Sequence, residues 1–483
     1  MTDKIALPLL ASGVPGLDSI LGGGLPELSF NIIGGAPGCG KTTFAQQIMF
    51  SLAGPKRTAL FFTAMGEPPV KMLRYQQQFD FFDFDKVGNS IEFINLASQV
   101  EEGNYDAVLA QILDNVRTHA PALVFIDSFR SFVQGALGEH QELAALQKFV
   151  QKLVAHMTSW NATSFLIGEY LANEADQNPI FTVADGIIWL SQQLQRNAPA
   201  RKIQVVKIRG QKQRSGLHAF RIDRAGLRVF PRVIPVARKG EFKPPVSKER
   251  LSSGVPVLDE MLGGGIPSGY SVLLVGPTGS GKTILSGEFL AAGARNGEHG
   301  VVALFERTPN QAMNEQIEAL VEADQVSVLT VRALDLSIDE MLHELLDLID
   351  ARGATRLVLD SLTGFEMALA PEDREDFSEA LYRMSAVLNA HGVTVLMTSE
   401  LEDRYNDLRF SPYGSAVLVD CVIMQRYIEV QSELRTLISV VKLRGHWHSR
   451  QLRTFEITDE GIVIGSGATP YDGVLHGNPQ RLA

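Results

Sequence analysis

Two cysteines in 483 residues, Cys39 and Cys421, leave no disulfide framework and no CxxC or Cys/His spacing for zinc, and a reducing compartment fits that usage. No run of 18 apolar residues occurs, which excludes a membrane-spanning helix. The opening Met1-Thr2-Asp3-Lys4-Ile5-Ala6-Leu7-Pro8 lacks the charged start and apolar stretch of a secretory signal, so the expected location is the cytoplasm. Positive charge is also in short supply, with 44 Lys and Arg against 55 Asp and Glu and a net charge of -11. Non-specific nucleic-acid binders depend on a basic surface, so this balance argues against nucleic acid as the main partner, although a local basic groove stays open. What is present is a folded-protein composition, 45% hydrophobic and 20% charged. The length suits two domains of about 240 residues better than one core.

The chain repeats itself. Ser12-Gly13-Val14-Pro15-Gly16-Leu17-Asp18 returns as Ser253-Gly254-Val255-Pro256-Val257-Leu258-Asp259, and Leu21-Gly22-Gly23-Gly24-Leu25-Pro26 returns as Leu262-Gly263-Gly264-Gly265-Ile266-Pro267, both 241 positions on. Two domains of one fold follow. Pro231, Pro235, Lys239, Gly240, Lys243, Pro244, Pro245 and Lys248 crowd the join, where proline removes amide donors and fixes φ, so an extended linker is expected there. We place one domain over residues 1–240 and the second over 241–483 with a short C-terminal tail, the boundary falling near residue 245.

Within each half, apolar runs alternate with helical segments. Ser29–Ile33 and Ser271–Val275 read as strands ending in glycine, followed by helices over about Lys41–Leu52 and Lys282–Arg295. Ala122–Ile126 and Arg356–Leu359 read as strands buried on both faces. Alternation of this kind predicts an α/β fold with a mainly parallel sheet flanked by helices in each domain.

The strongest chemistry lies in the glycine-rich loops. Gly35-Ala36-Pro37-Gly38-Cys39-Gly40-Lys41-Thr42 and Gly276-Pro277-Thr278-Gly279-Ser280-Gly281-Lys282-Thr283 both match G-x-x-x-x-G-K-[ST]. Gly35, Gly38, Gly40, Gly276, Gly279 and Gly281 let backbone amides turn inward around phosphate oxygens, and the following helix offers its positive end to the same anion. Lys41 and Lys282 are expected to reach the β- and γ-phosphates of ATP, while the Thr42 and Thr283 hydroxyls ligate Mg²⁺. Thr43, Thr278 and Ser280 complete the expected cradles. Asp127 and Asp360 each end an apolar strand, the pattern of a carboxylate that holds the metal's water shell.

Hydrolysis needs a group that orients or deprotonates the attacking water. Glu306, in Val302-Ala303-Leu304-Phe305-Glu306-Arg307, follows an apolar strand and is the candidate base. At the same offset the first half carries Met65, with Glu67 two residues further along, so the two sites are expected to differ in hydrolysis. A third repeated element, Val206-Lys207-Ile208-Arg209-Gly210 and Val441-Lys442-Leu443-Arg444-Gly445, alternates Lys and Arg so that both can point at one anion.

Together these residues resemble the KaiC family of tandem RecA-like P-loop ATPases. The resemblance covers nearly the whole chain, and the G-G-G-[LI]-P turn before each P-loop strand is its most specific part. It implies two tandem RecA-like NTPase domains and a two-tiered homo-hexamer with ATP between subunits. It also implies that Lys207, Arg209, Lys442, Arg444 and His448 reach a neighbour's nucleotide in trans, and that a regulatory protein partner reads the ring. Clock-type members carry consecutive glutamates after the strand that follows the P-loop helix; the corresponding pairs here are Met65-Gly66 and Glu306-Arg307. The family's phosphorylated Ser-Thr pair falls on Ala416 and Val417, with Ser411 and Ser415 nearby. The expected activity is ATP hydrolysis. A Ser/Thr autokinase with clock-type signalling, a RecA-type DNA-acting ATPase and a scaffold that uses ATP only to assemble are the alternatives.

Overall fold

The computed structural model describes residues 7–63, 69–97, 100, 104–127, 140–170, 180–195, 198–233, 249–305, 313–330, 337–368, 377–401, 415–430, 432–459, 461–465, 471–472 and 480–481. The chain divides into two compact units, Met1–Arg232 and Val233–Ala483. Most of the expected linker lies outside the described residues.

In the first unit the main elements are β1 (Phe30–Gly35), α1 (Lys41–Leu52), β2 (Ala59–Thr63), β3 (Ile91–Asn95), α2 (Tyr105–His119), β4 (Leu123–Asp127), α3 (His140–Met157), β5 (Thr163–Glu169), α4 (Ile180–Val183), β6 (Gly186–Gln195), β7 (Ala198–Ile208), β8 (His218–Asp223) and β9 (Gly226–Phe230). They form a nine-stranded sheet in the order β9-β8-β7-β6-β1-β5-β4-β2-β3. The six strands from β6 to β3 run parallel, and β7, β8 and β9 extend the sheet antiparallel.

The second unit repeats this with β10 (Ser271–Gly276), α5 (Lys282–Arg295), β11 (Gly300–Leu304), β12 (Val326–Thr330), α6 (Ile338–Arg352), β13 (Arg356–Asp360), α7 (Phe377–Ala390), β14 (Thr394–Glu400), α8 (Ser415–Leu418), β15 (Cys421–Val430), β16 (Glu433–Leu443), β17 (Arg453–Thr458) and β18 (Gly461–Ile464). Its sheet order is β12-β11-β13-β14-β10-β15-β16-β17-β18. The parallel part is as expected; the three-strand antiparallel extension is a feature the alternation of helix and strand did not announce, because hairpin strands carry no crossover helix to mark them.

Parallel strands are covered on both faces, so their residues are mostly apolar. Ile32, Ile33, Phe61, Phe62, Val124 and Phe125 are all buried and divide between two apolar clusters, one on each side of the first sheet. The P-loop helix α1 is buried on nearly every side, and its buried Gln47 exchanges hydrogen bonds with the Leu227 backbone at 2.6 and 3.1 Å.

The repeated glycine turn has a steric cause. Gly22, Gly23 and Gly24 have φ of 91°, 130° and 141°, and Gly263, Gly264 and Gly265 have 75°, 109° and 106°. A side chain at Gly24 or Gly265 would also meet a backbone carbonyl, that of Leu10 or Leu251, at 2.6 Å. The turn delivers the chain to the start of the P-loop strand, and Asp18 and Asp259 brace it by accepting from the amides of Ser12 and Ser253 at 3.0 and 2.7 Å.

One element is peculiar to the second unit. Arg356, at the start of β13, is fully buried, and donates to both Glu298 carboxylate oxygens at 2.7 and 3.3 Å and to the Ser252 and Phe289 carbonyls at 2.8 Å. Its guanidinium also stacks over the Phe289 ring at 4.7 Å. Burial would raise the Glu298 carboxyl; the bond and charge of Arg356 outweigh it and hold the group below its ordinary value. The first unit has Leu123 at the corresponding strand position.

Candidate functional site

Strand β5 lies between the P-loop strand β1 and the Asp127 strand β4, and β14 lies likewise between β10 and β13. The carboxyl ends of these three strands, with the loop after the first, form the candidate site of each unit.

Both loops take the shape their glycines permit. Gly38 and Gly40 have φ of 76° and 99°, and Gly279 and Gly281 have 80° and 88°. Gly40 and Gly281 are the N-caps of α1 and α5, and neither helix has a side-chain cap. The first-turn amides therefore face the loop with no side chain competing for them, the arrangement that binds phosphate. The lysine ammonium groups sit on loop carbonyls: Lys41 Nζ donates to Ala36 O at 2.8 Å, and Lys282 Nζ to Gly276 O and Pro277 O at 2.9 and 2.8 Å. Burial lowers the Lys282 pKa, opposed by the charges of Glu400 and Asp360.

The expected metal pairs meet in space. Thr42 Oγ1 donates to Asp127 Oδ2 at 2.6 Å across 85 residues, and Thr283 Oγ1 to Asp360 Oδ2 at 3.0 Å across 77. A hydroxyl beside a carboxylate, at an uncapped helix start, is a hard oxygen set that suits Mg²⁺, an ion that keeps several waters and is commonly shared with phosphate. The carboxylates differ in support. Asp360 Oδ1 also accepts from Thr398 Oγ1 at 2.5 Å, whereas the matching residue of β5 is Ile167. Burial pushes the Asp127 carboxyl up to about 6, with the Glu169 charge adding and the Thr42 bond and Lys41 charge opposing.

The inner side of each loop is also built differently. Ser280 Oγ donates to Gln425 Oε1 at 3.0 Å with both side chains fully buried, and Gln425 Nε2 has no partner among the described residues. In the first unit Cys39 and Leu190 occupy these places within one apolar cluster. Burial raises the Cys39 thiol pKa, with the Lys41 charge opposing it.

The basic pairs do converge, on their own chain. Lys207 Nζ and Arg209 Nη2 both donate to Thr182 O, at 2.9 and 3.3 Å, and Arg209 pairs with Asp185 at 3.0 Å. Lys442 Nζ and Arg444 Nη2 both donate to Val417 O, at 3.3 and 2.8 Å, and Arg444 lies 3.6 Å from Asp420. Each cluster caps the short helix α4 or α8. Burial, then the neighbouring arginine, lowers the pKa of Lys207 and of Lys442. His448 stands apart and half-buried, its Nδ1 3.0 Å from Ser449 O. Thr278 is exposed on its loop, and Thr43 is half-buried in the first turn of α1. Glu306, Arg307, Met65, Gly66, Glu67 and Ser411 lie outside the described residues, as does the side chain of Ser415.

Sequence reasoning missed Thr398, Glu169, Glu400 and Gln425. A signal existed: β5 and β14 are seven-residue strands that both begin with Thr and end with Glu. They are 231 positions apart rather than 241, so a search at the P-loop offset slides past them.

A sequence model of the family described as KaiC ATPase matches residues 10–234 and 251–469. The circadian clock oscillator protein KaiC of Parathermosynechococcus lividus is 23% identical, over 100% of this chain and 90% of that protein. Its counterpart in a Picosynechococcus species is 25% identical, over 97% and 92%. Circadian clock protein KaiC3 of a Synechocystis species is 25% identical, over 98% and 95%. With two P-loops, two hydroxyl–carboxylate pairs and a family match spanning both units, the chain belongs to the KaiC family of ATPases.

Proposed function

We propose that this ATPase binds MgATP at both P-loops and hydrolyses it chiefly in the second domain, working as a nucleotide-regulated homo-hexamer. The recurrence of Thr42–Asp127 and Thr283–Asp360 beside the two loops supports this reading most directly. Lys41 and Lys282 would leave their carbonyls for the β- and γ-phosphates, a short swing because both ammonium groups already sit inside the loops. Thr283 and Asp360 would hold Mg²⁺, which would supply positive charge to offset that of the terminal phosphate. Thr398 fixes the Asp360 carboxylate, so that less reorganisation accompanies metal binding at the second site than at the first. Glu306 is assigned the water-activating role on its sequence position, and Met65 at the matching place leaves the first domain the slower site.

Lys207, Arg209, Lys442, Arg444 and His448 are assigned to the neighbouring subunit's nucleotide. Relatives named as clock oscillators support a protein partner that reads the ring, and the acidic net charge supports a ring that does not act on nucleic acid. Steady-state ATP turnover and native mass test the proposal together. Lys282→Ala is expected to lower turnover by about 10²-fold or more, Lys41→Ala to lower it much less, and ATP to shift the mass from lower forms to the hexamer. Unchanged turnover in Lys282→Ala would show that the active site is elsewhere.

A further inference from the structure

The carboxyl end of the strand between each P-loop and its aspartate carries a glutamate that the proposed function leaves unused. Glu400 is paired in register with Gly276, the first loop glycine, and Glu169 is paired with Gly35. Glu400 is exposed, and its Oε1 accepts from Thr278 Oγ1 at 2.9 Å. Thr278 is the third residue of the loop, exposed and next to Pro277, whose carbonyl accepts from the Lys282 ammonium. Among the described residues Glu400 makes no ion pair. Its charge is felt at the Lys282 ammonium, and that of Glu169 at Asp127 and Cys39. Each phosphate cradle therefore has a negative group at its mouth, next to the lysine and on the metal carboxylate's side.

We propose that Glu400 is the residue by which the second site distinguishes a nucleoside triphosphate from a diphosphate, and that Glu169 stands in the same relation to the first; this rests on the nucleotide-binding reading above. The physics is like-charge repulsion. A diphosphate ends at the loop amides and leaves the Thr278–Glu400 bond in place. A triphosphate adds a further negative group at the rim, where it confronts a carboxylate held by that bond, and Mg²⁺ and Lys282 offset the conflict only in part. Glu400 thereby weakens triphosphate binding relative to diphosphate and raises the energy of the species that is to be cleaved. In the first loop Pro37 occupies the place of Thr278 and has no hydroxyl to offer Glu169.

The test uses the full chain with Lys41→Ala, so that only the second loop binds. Equilibrium affinities for Mg²⁺ with ADP and with a non-hydrolysable ATP analogue are compared in that background, with Glu400→Gln added, and with Thr278→Val added. Glutamine keeps the size and removes the charge. The expected result is a shift of about tenfold toward the triphosphate in Glu400→Gln, with ADP affinity changed by less than about twofold. Thr278→Val keeps the charge but frees it to turn away, and is expected to shift the preference in the same direction by less. An unchanged ratio in Glu400→Gln, or an equal loss of both affinities, overturns the inference. If the Lys41→Ala background binds neither nucleotide, the nucleotide-binding reading itself has failed; a Lys41→Ala background that binds both with a ratio indifferent to Glu400 sinks the discrimination alone.

Discussion

The two P-loops have the same glycines, lysine and threonine, and they rest on different foundations. Beneath the second, Ser280 and Gln425 make a buried polar pair, and Thr398 steadies the metal aspartate. Beneath the first, Cys39 and Leu190 are part of an apolar cluster, and the residue matching Thr398 is Ile167. The phosphate-facing surface is fixed by the ligand, whereas the surface behind it needs only to be filled and satisfied. A cradle can therefore be retained while its support is altered, and support determines how well a site holds a charged transition state.

Exchanging residues between the two domains tests these supports one at a time. The largest expected effect is on stability. Arg356→Leu, which installs the first domain's residue, takes the guanidinium from two carbonyls and from Glu298, which keeps the Thr355 and Asn296 bonds, and is expected to destabilise the second unit by about 3 kcal/mol. Chemical denaturation followed by a probe in each domain would show it, the first domain's transition staying in place.

Asp127→Asn should act in the opposite sense on the first unit. Its folded carboxyl titrates near 6, above the unfolded value, so the unfolded chain ionises first. The acid's penalty is absent below the unfolded pKa and grows as pH rises through the folded one. In metal-free protein the substitution is therefore expected to add about 2 kcal/mol at pH 7.5 and almost nothing at pH 3.5. A pH series of unfolding midpoints checks the slope.

Behind the second loop, Ser280→Cys removes the donor to a buried glutamine and should cost about 1–2 kcal/mol. Adding Gln425→Leu restores the first domain's apolar pairing, so the double variant should lie closer to the unsubstituted protein than the single one. A double-mutant cycle on thermal unfolding measures that coupling.

Smallest is Thr398→Ile, expected to weaken Mg²⁺ dependence of nucleotide binding at the second site by about fivefold, through the lost bond to Asp360. Titrating Mg²⁺ against bound nucleotide reads it, and Ile167→Thr should move the first site the other way.

Much of this was legible in the sequence, for stateable reasons. The helices after each loop run over Lys41–Leu52 and Lys282–Arg295 as expected, because Gly40 and Gly281 mark their starts by taking a conformation few other residues adopt. Asp127 and Asp360 were found because a run of apolar residues broken by a carboxylate stands out locally. Ser280–Gln425 and Thr278–Glu400 were not, since their partners lie 145 and 122 residues apart and nothing local announces the pairing. The Lys207 and Lys442 strands were readable as basic and as repeated. That each would cap the end of a four-residue helix depended on α4 and α8, which are too short to leave a periodic pattern.

In the three-glycine turn, Gly24 and Gly265 are barred to side chains by backbone carbonyls. At most buried places a second residue can be exchanged when the first one changes, and Cys39 with Leu190 against Ser280 with Gln425 is such an exchange. Where the obstacle to a side chain is the main chain itself, no partner exists to give way. Those positions behave as fixed landmarks while the contacts around them drift, so kinship in such a chain is best read from the residues that have no side chain at all.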